Sequence, residues 1–524
     1  MKIFFHNFFY DQDLSPFFYL FKIVFNQNIE LGTLDESDIL LESMFGTQTY
    51  LYHKKWPYTF CFIGESDRRI PDIMKSKMFQ DYSCVLKGEI SNRNIVNFPL
   101  FVFYIYSYHF VYELKNKEQT SIVPKKDVCV IITNGEDSEG RNYFLEKLEK
   151  RVLIDYAGNY KNNVKRIEPS HCTREFNDYV SQYKIIFSME NSKNKEYITE
   201  KILHGYNCNN VPIYWGSDSI SNYFNEERFI LVKGFDEKSI NDSIDKIEAI
   251  LTNDDKFLEM IHKPVYKDNY VPLTLTTIAA DIQRLLQIKN TQVKKFITFG
   301  NQPYYNSVVR ICQESKNMRI FNEIYGYTDK YLKTDIEFWN KHGNFIEKNR
   351  RGYGYWLWKP YLIKKELDKS KENDMIFYCD AGCEVNEKGK RRLHEYIDML
   401  NTSETGIITF QLTHLERVYT KNKVFETLGS NKKDVLQCLA TVILIKKNKN
   451  STDIVNQWYE NCENYNLIND ETKEEDSLFK ENRHDQSVLS VLVNKLDSIK
   501  ISDETYFSDW KDGEEYPFLK KKLR

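Results

Sequence analysis

Residues 183–230 read YKIIFSMENSKNKEYITEKILHGYNCNNVPIYWGSDSISNYFNEERFI, and the fold is decided here. The apolar run IIFSMEN leads through a polar link into a helical stretch whose opening places Glu200 beside Lys201. VPIYWG follows directly and reads as a buried strand with a Trp-Gly exit. Strand, helix and strand in so short a span is the unit of a parallel sheet. A helix start presents free backbone N–H groups and the positive end of its dipole, so a lysine added there suits a diphosphate.

Outward from this stretch the chain reads as three blocks. Residues 1–124 alternate short apolar strands with amphipathic stretches, through KIFFHNFF, DILLESMFG, YTFCFIGES and DYSCVLKGE. Residues 125–290 begin again at VCVIIT and end in a helical stretch around Ile278 to Ile288, so that two α/β halves face each other across a cleft. Residues 291–524 start with the strand KKFITFG at Lys294 and continue through a helical region from Tyr305 and the aromatic run RGYGYWLWKPYLI. The strands MIFYCDAG and GIITFQL and a helix from about Asp485 follow, and the charged stretch Asp470 to Glu481 reads as a solvated loop.

Composition narrows the class. A chain of 524 residues, 41% hydrophobic, can bury more than two ordinary cores. A net charge of −3 gives no basic field for nucleic acid or an anionic membrane. The ten cysteines show no framework of short repeated spacings, the closest pair being Cys379 and Cys383, which points to free thiols in a reducing compartment. KIFFHNFFY after Met1 reads as a first strand and not as a signal peptide. The longest apolar run, Phe98 to Tyr112, is too short and too rich in tyrosine to span a bilayer. The expectation is a soluble, cytoplasmic protein without a membrane span.

The pattern Y-K-x-x-F-x-x-E-N-S, then Tyr197, I-T-E-K and V-P-I-Y-W-G resembles the α-1,3-fucosyltransferases of glycosyltransferase family 10. Upstream, DILLESMFG, FIGES, GEDSEGRNYFLEKL and DYAGNY follow the same order, so the resemblance covers residues 1 to about 290. It implies a GT-B architecture, two Rossmann-like domains with the active site in the cleft, the second of them binding GDP-fucose. It also implies metal-independent, inverting transfer of L-fucose from GDP-fucose to a GlcNAc or glucose hydroxyl of a glycan acceptor. Glu65 in FIGES then matches the general base, Arg141 and Lys201 the groups on the pyrophosphate, Glu200 the ribose contact, and Asn191 and Tyr197 further donor-site positions. Independently, Glu65 follows an alternating strand and belongs at its carboxyl end, where open α/β sheets bind ligands. A carboxylate there is able to take an acceptor proton, and the bland alternative is a solvated loop glutamate. For Arg141 and Lys201 the alternative is a surface cation; for Asn191 and Tyr197, turn and packing roles. HGYNCNN departs from the family's small-residue stretch before V-P, and Arg68 and Arg69 are either acceptor contacts or solvated.

The third block resembles GT-A glycosyltransferases, which hold a divalent cation against the diphosphate with an Asp-x-Asp motif. Asp380 follows the strand MIFYC, but Gly382 stands where the second aspartate belongs, with Glu384 the next acid. His484 opens the late helix. Asp380, Glu384 and His484 are therefore the candidate ligands for Mn²⁺ or Mg²⁺, and a second nucleotide-sugar is the implied partner. Tyr353, Tyr355, Trp356, Trp358 and Lys359 form either a sugar-stacking, phosphate-contacting wall or core packing. The weakened motif leaves a second reading for this block, a non-catalytic glycan-binding module serving a single fucosyltransferase.

Overall fold

β-Branched and aromatic runs become strands throughout the chain, because such side chains suit a pleated, buried surface. The computed structural model describes residues 1–524 except 10–11, 47–50, 52–55, 73–80, 91–93, 108–113, 115–119, 134, 136–139, 168–172, 270, 497 and 524. Its contacts divide the chain into two units, Met1–Asn290 and Thr291–Arg524.

The first unit holds two sheets. Strands β1 (Lys2–His6), β2 (Glu30–Leu31), β3 (Ile39–Ser43), β4 (Tyr58–Ile63), β5 (Cys84–Lys87) and β6 (Ile95–Asn97) lie in the order β2-β1-β3-β4-β5-β6, every pair parallel. All of β3 is buried, as a parallel sheet covered on both faces requires. Strands β7 (Lys126–Val130), β8 (Ile154–Tyr156), β9 (Tyr183–Phe187), β10 (Val211–Tyr214) and β11 (Ile230–Leu231) form the second parallel sheet, β11-β10-β9-β7-β8.

Helices α1 (Ser15–Phe25), α2 (Leu100–Ser107), α3 (Arg141–Leu148), α4 (Lys201–Asn207) and α5 (Leu275–Leu286) flank these sheets. Phe17 and Phe21 of α1, Phe101 of α2, Ile202 and Tyr206 of α4, and Ile278 and Ile282 of α5 share one core. The sequence reading ends the second half with the stretch that becomes α5, but this helix packs on α1, where Gln283 Nε2 donates to Ile23 O at 3.1 Å and Val24 O at 2.8 Å. Its stripe of Leu275, Ile278, Ala279 and Ile282 needs cover, and the apolar face of α1 supplies it. Of the apolar run Phe98 to Tyr112, α2 takes the middle and residues 108–112 lie outside the described ones. Among the described residues no helix is long and apolar enough to cross a membrane.

The second unit contains β12 (Lys294–Gly300), β13 (Glu323–Thr328), β14 (Met375–Cys379), β15 (Glu384–Val385), β16 (Ile407–Leu415), β17 (Leu436–Cys438), β18 (Val442–Lys446), β19 (Ile499–Ser502) and β20 (Phe518–Leu519). Seven of these form a mixed sheet in the order β13-β12-β14-β18-β16-β17, with β19 also on β16, while β15 and β20 make a separate ribbon. β12 is parallel to β13 and β14, and β18 is antiparallel to β14 and β16. Helices α6 (Trp358–Asp368), α7 (Lys449–Cys462) and α8 (Asp485–Asn494) close a core that includes Leu362, Val455, Trp458 and Val488.

The three sheets share one local order: β2-β1-β3, β8-β7-β9 and β13-β12-β14. In each, the second strand flanks the first on one side and the third flanks it on the other. That reversal opens a crevice outside the carboxyl ends of β1 and β3, of β7 and β9, and of β12 and β14, where doubly wound sheets bind ligands.

Candidate functional site

At the β7/β9 crevice the chain leaves β9 through Ser188, Met189 and Glu190 before reaching Asn191. Arg141, the first residue of α3, is buried and donates from Nη1 to Asn191 Oδ1 at 2.9 Å. Two residues singled out from sequence thus meet across the switch point. Gly140 turns the chain into α3 at φ 113°, and a Cβ there would lie 2.2 Å from the Phe235 ring.

Lys201 opens α4, with Glu200 just before it. Its ammonium donates to Glu190 Oε2 at 3.0 Å and to Thr199 Oγ1 at 3.1 Å, and lies 3.9 Å from Glu200. Burial works against the charge, but Glu190 and Glu200 outweigh it and hold the Lys201 pKa above the usual lysine value. Glu190 itself is fully buried and also accepts from Thr199 N at 2.7 Å and Thr199 Oγ1 at 2.9 Å. Sequence reasoning gave Glu190 no role. The signal that marks it is the Trp-Gly exit: a Cβ on Gly216 would stand 2.6 Å from Glu190 Cγ and 2.6 Å from the Tyr214 hydroxyl, so glycine there makes the room Glu190 occupies.

Glu65 follows β4, and Tyr197 donates to its Oε2 at 3.3 Å. Arg69 lies 3.6 Å from the same carboxylate, which accounts for one of the two arginines after FIGES. Burial and the nearby Glu190 and Glu65 carboxylates push the Tyr197 phenol well above the usual tyrosine range, so it stays a donor. The link carrying Tyr197 is seated against the first sheet. A Cβ on Gly88 would lie 2.3 Å from Glu196 O, Glu196 adopts φ 58°, and Tyr223 donates to its carboxylate at 2.5 Å. One link between β9 and α4 therefore joins Arg141 through Asn191, Lys201 through Glu190, and Glu65 through Tyr197.

The second unit has its own cavity, about 580 Å³, at the carboxyl ends of β12 and β14. Phe299 and Gly300 come from β12, Asp380 to Gly382 follow β14, and Arg350, Tyr353, Trp356, Trp358 and Lys522 are among the other lining residues. The aromatic run divides between core and cavity wall. Tyr355 is core, Trp358 is buried and stacks on Phe299 at 3.9 Å while still edging the cavity, and Tyr353 and Trp356 face it. The turn that presents them is left-handed over five consecutive residues: Gly352, Tyr353, Gly354, Tyr355 and Trp356 have φ of 58°, 53°, 85°, 53° and 59°. Such a backbone costs an L-residue about 1–2 kcal/mol. It persists where surrounding packing over-determines it, and such strain clusters at ligand clamps.

Asp380, Glu384 and His484 do not converge. Asp380 Oδ1 lies 3.1 Å from Lys359 Nζ and accepts from Tyr378 at 2.5 Å. Glu384 is held by Lys521 at 2.6 Å. His484 has its Nδ1 2.6 Å from Ile468 O, and its ring packs against Tyr355 and Trp356 with centroids 5.0 and 5.2 Å away. Among the described residues no group of three His, Cys, Asp or Glu side chains gathers as a metal site. A cation is already present there: Lys359, which the sequence leaves as either phosphate-contacting wall or core, is core. It is buried, donates to Ala440 O at 3.0 Å, and stands between Asp380 and Asp485, the latter at 3.6 Å. A doubly charged ion about 4 Å from that ammonium would meet a repulsion of about 8 kcal/mol at an effective dielectric of about 20. Burial pushes Asp485 up to about 7 even with Lys359 beside it. Lys522, also missed from sequence, reaches the cavity because β20 pairs with β15 and Leu523 N then donates to Gly382 O at 2.8 Å.

The fold and the first of these sites define a class: an α/β protein presenting cations, a carboxylate and polar side chains at a switch-point crevice. Residues 123–298 match the family model described as glycosyltransferase family 10 (fucosyltransferase) C-term. An alpha-(1,3)-fucosyltransferase of Helicobacter pylori is 28% identical over 139 residues, 26% of this chain and 28% of that protein. A putative fucosyltransferase of Acanthamoeba polyphaga mimivirus is 31% identical over 152 residues, 28% of this chain and 25% of that protein. The chain thus spans about a quarter of the length of these curated relatives. A crystal structure of an alpha1,3-fucosyltransferase with GDP-fucose aligns at 18% identity and a TM-score of 0.41, covering 55% of this chain and 90% of that one.

Proposed function

We propose that Met1–Asn290 is a GT-B fucosyltransferase moving L-fucose from GDP-fucose, with inversion, to a glycan hydroxyl, α-1,3 on GlcNAc or glucose. The observation that carries this reading is the link between β9 and α4, lying in the family-matched segment and binding Arg141, Lys201 and Glu65 into one network. Glu65 takes the acceptor proton, aimed by the Tyr197 hydroxyl. Arg141 and Lys201 neutralise charge building on the GDP leaving group, the guanidinium as a planar fork and the ammonium as a point charge. Asn191 orients Arg141, Glu190 orients Lys201, and Glu200 contacts the ribose. No metal takes part in this half. Incubating the full chain with GDP-fucose and GlcNAc- or glucose-terminated acceptors tests the reading. Transfer is expected, with a loss of about 10²–10³-fold in Lys201→Ala; absence of transfer, or an undiminished rate in the variant, would sink it.

Thr291–Arg524 is, on this reading, a second, GT-A-like glycosyltransferase domain using another nucleotide-sugar on the same glycan. Its support is the cavity at the β12/β14 switch point, walled by aromatic rings with Arg350 and Lys522 at hand. The aromatic wall also favours an alternative, a glycan-binding module without chemistry. Turnover of a nucleotide-sugar lost in Trp356→Ala supports the first; binding of free oligosaccharide with no nucleotide bound supports the second.

A further inference from the structure

We infer that the cavity at the β12/β14 switch point takes a nucleoside diphosphate without a divalent cation, the Lys359 ammonium standing where the metal would be. This rests on the reading of Thr291–Arg524 as a second transferase. A diphosphate approaching a strand-end aspartate meets like charge, and a bridging metal ordinarily removes that repulsion. Here the neutralisation is built into the chain. Lys359 donates to Ala440 O and pairs with Asp380 at 3.1 Å and, more loosely, with Asp485 at 3.6 Å, and Tyr378 donates to Asp380. Glu384 is bound to Lys521 and the His484 ring is locked by Ile468 and two aromatic rings, so neither is placed to complete a cation's coordination.

With Asp380 compensated, Arg350 and Lys522 leave the cavity lining positive, as an anion requires. Trp356 and Tyr353 give flat faces for a base or a sugar ring. The left-handed turn fixes those two rings beside Arg350 before any ligand arrives. Cation, aromatic faces and a pre-neutralised carboxylate in one crevice are the complement of a nucleoside diphosphate.

The test is calorimetric titration of the full chain with GDP, UDP, CDP and ADP, in EDTA and again in Mn²⁺, on wild type and Arg350→Ala. Arg350 is exposed, so this variant keeps its fold. The expected result is a binding event weakened at least about tenfold in Arg350→Ala, with an affinity in EDTA within about threefold of that in Mn²⁺. An event that depends on Arg350 but tightens more than about tenfold with Mn²⁺ overturns the metal-free inference and leaves the second transferase standing. No Arg350-dependent event with any of the four nucleotides overturns both.

Discussion

Lys201 and Lys359 are amines whose chemistry is set by the buried carboxylates that hold them. For Lys201 the raised pKa means that the ammonium, and the stability it contributes, persists below the usual lysine value and is lost only as pH climbs through the raised one. In Glu190→Gln the largest of the charges opposing burial is gone and Glu200 and Glu65 remain, so the Lys201 pKa falls. Fucosyl transfer by that variant should show an alkaline limb at lower pH than wild type, read from kcat/KM against pH; coincident limbs would remove Glu190 from the account. Lys359→Met should destabilise the second unit by about 1–3 kcal/mol, because it removes the cation shared by Asp380 and the buried Asp485, which then takes up a proton. Adding Asp485→Asn should recover part of the loss in thermal or urea melts, whereas a Lys359→Met protein as stable as wild type would mean that the pair contributes nothing.

At the scale of elements, glycines decide where the functional links run. Gly216→Ala forces a Cβ against Glu190 and Tyr214, which should cost about 1–3 kcal/mol and displace the acceptor of Lys201. Denaturant melts and transfer assays should fall together, and a loss of stability with full transfer would separate the glycine from the site. Much of this level was legible beforehand. The strand endings that carry Glu65 and Asp380, and the helix openings at Lys201 and Asp485, follow from apolar runs broken by polar residues. Side-chain pairing was not legible. Nothing in SMENS distinguishes Glu190 as fully buried, and nothing in WKPYL shows that Lys359 points between two aspartates from different strand and helix ends. Both depend on contacts far apart in sequence, as does the return of α5 to α1.

For the whole chain, one strand order repeated three times puts a crevice at each first strand, and two of these crevices carry the sites described above. Each has its own cations, so Arg350→Ala should leave fucosyl transfer within about twofold of wild type while weakening nucleotide binding in the second unit; a parallel loss of transfer would mean that the two chemistries are coupled. The three-block reading saw the parallel organisation because short strands alternate with amphipathic stretches, and it missed the shared core of Met1–Asn290 because helix partners are not written in periodicity. The left-handed turn at Gly352 to Trp356 bears on timing. Leaving it means changing five successive backbone angles, three of them in residues with a Cβ. The side of the β12/β14 cavity that carries Tyr353 and Trp356 is consequently shaped by the fold before a ligand arrives, which lowers the ordering a ligand has to impose on binding.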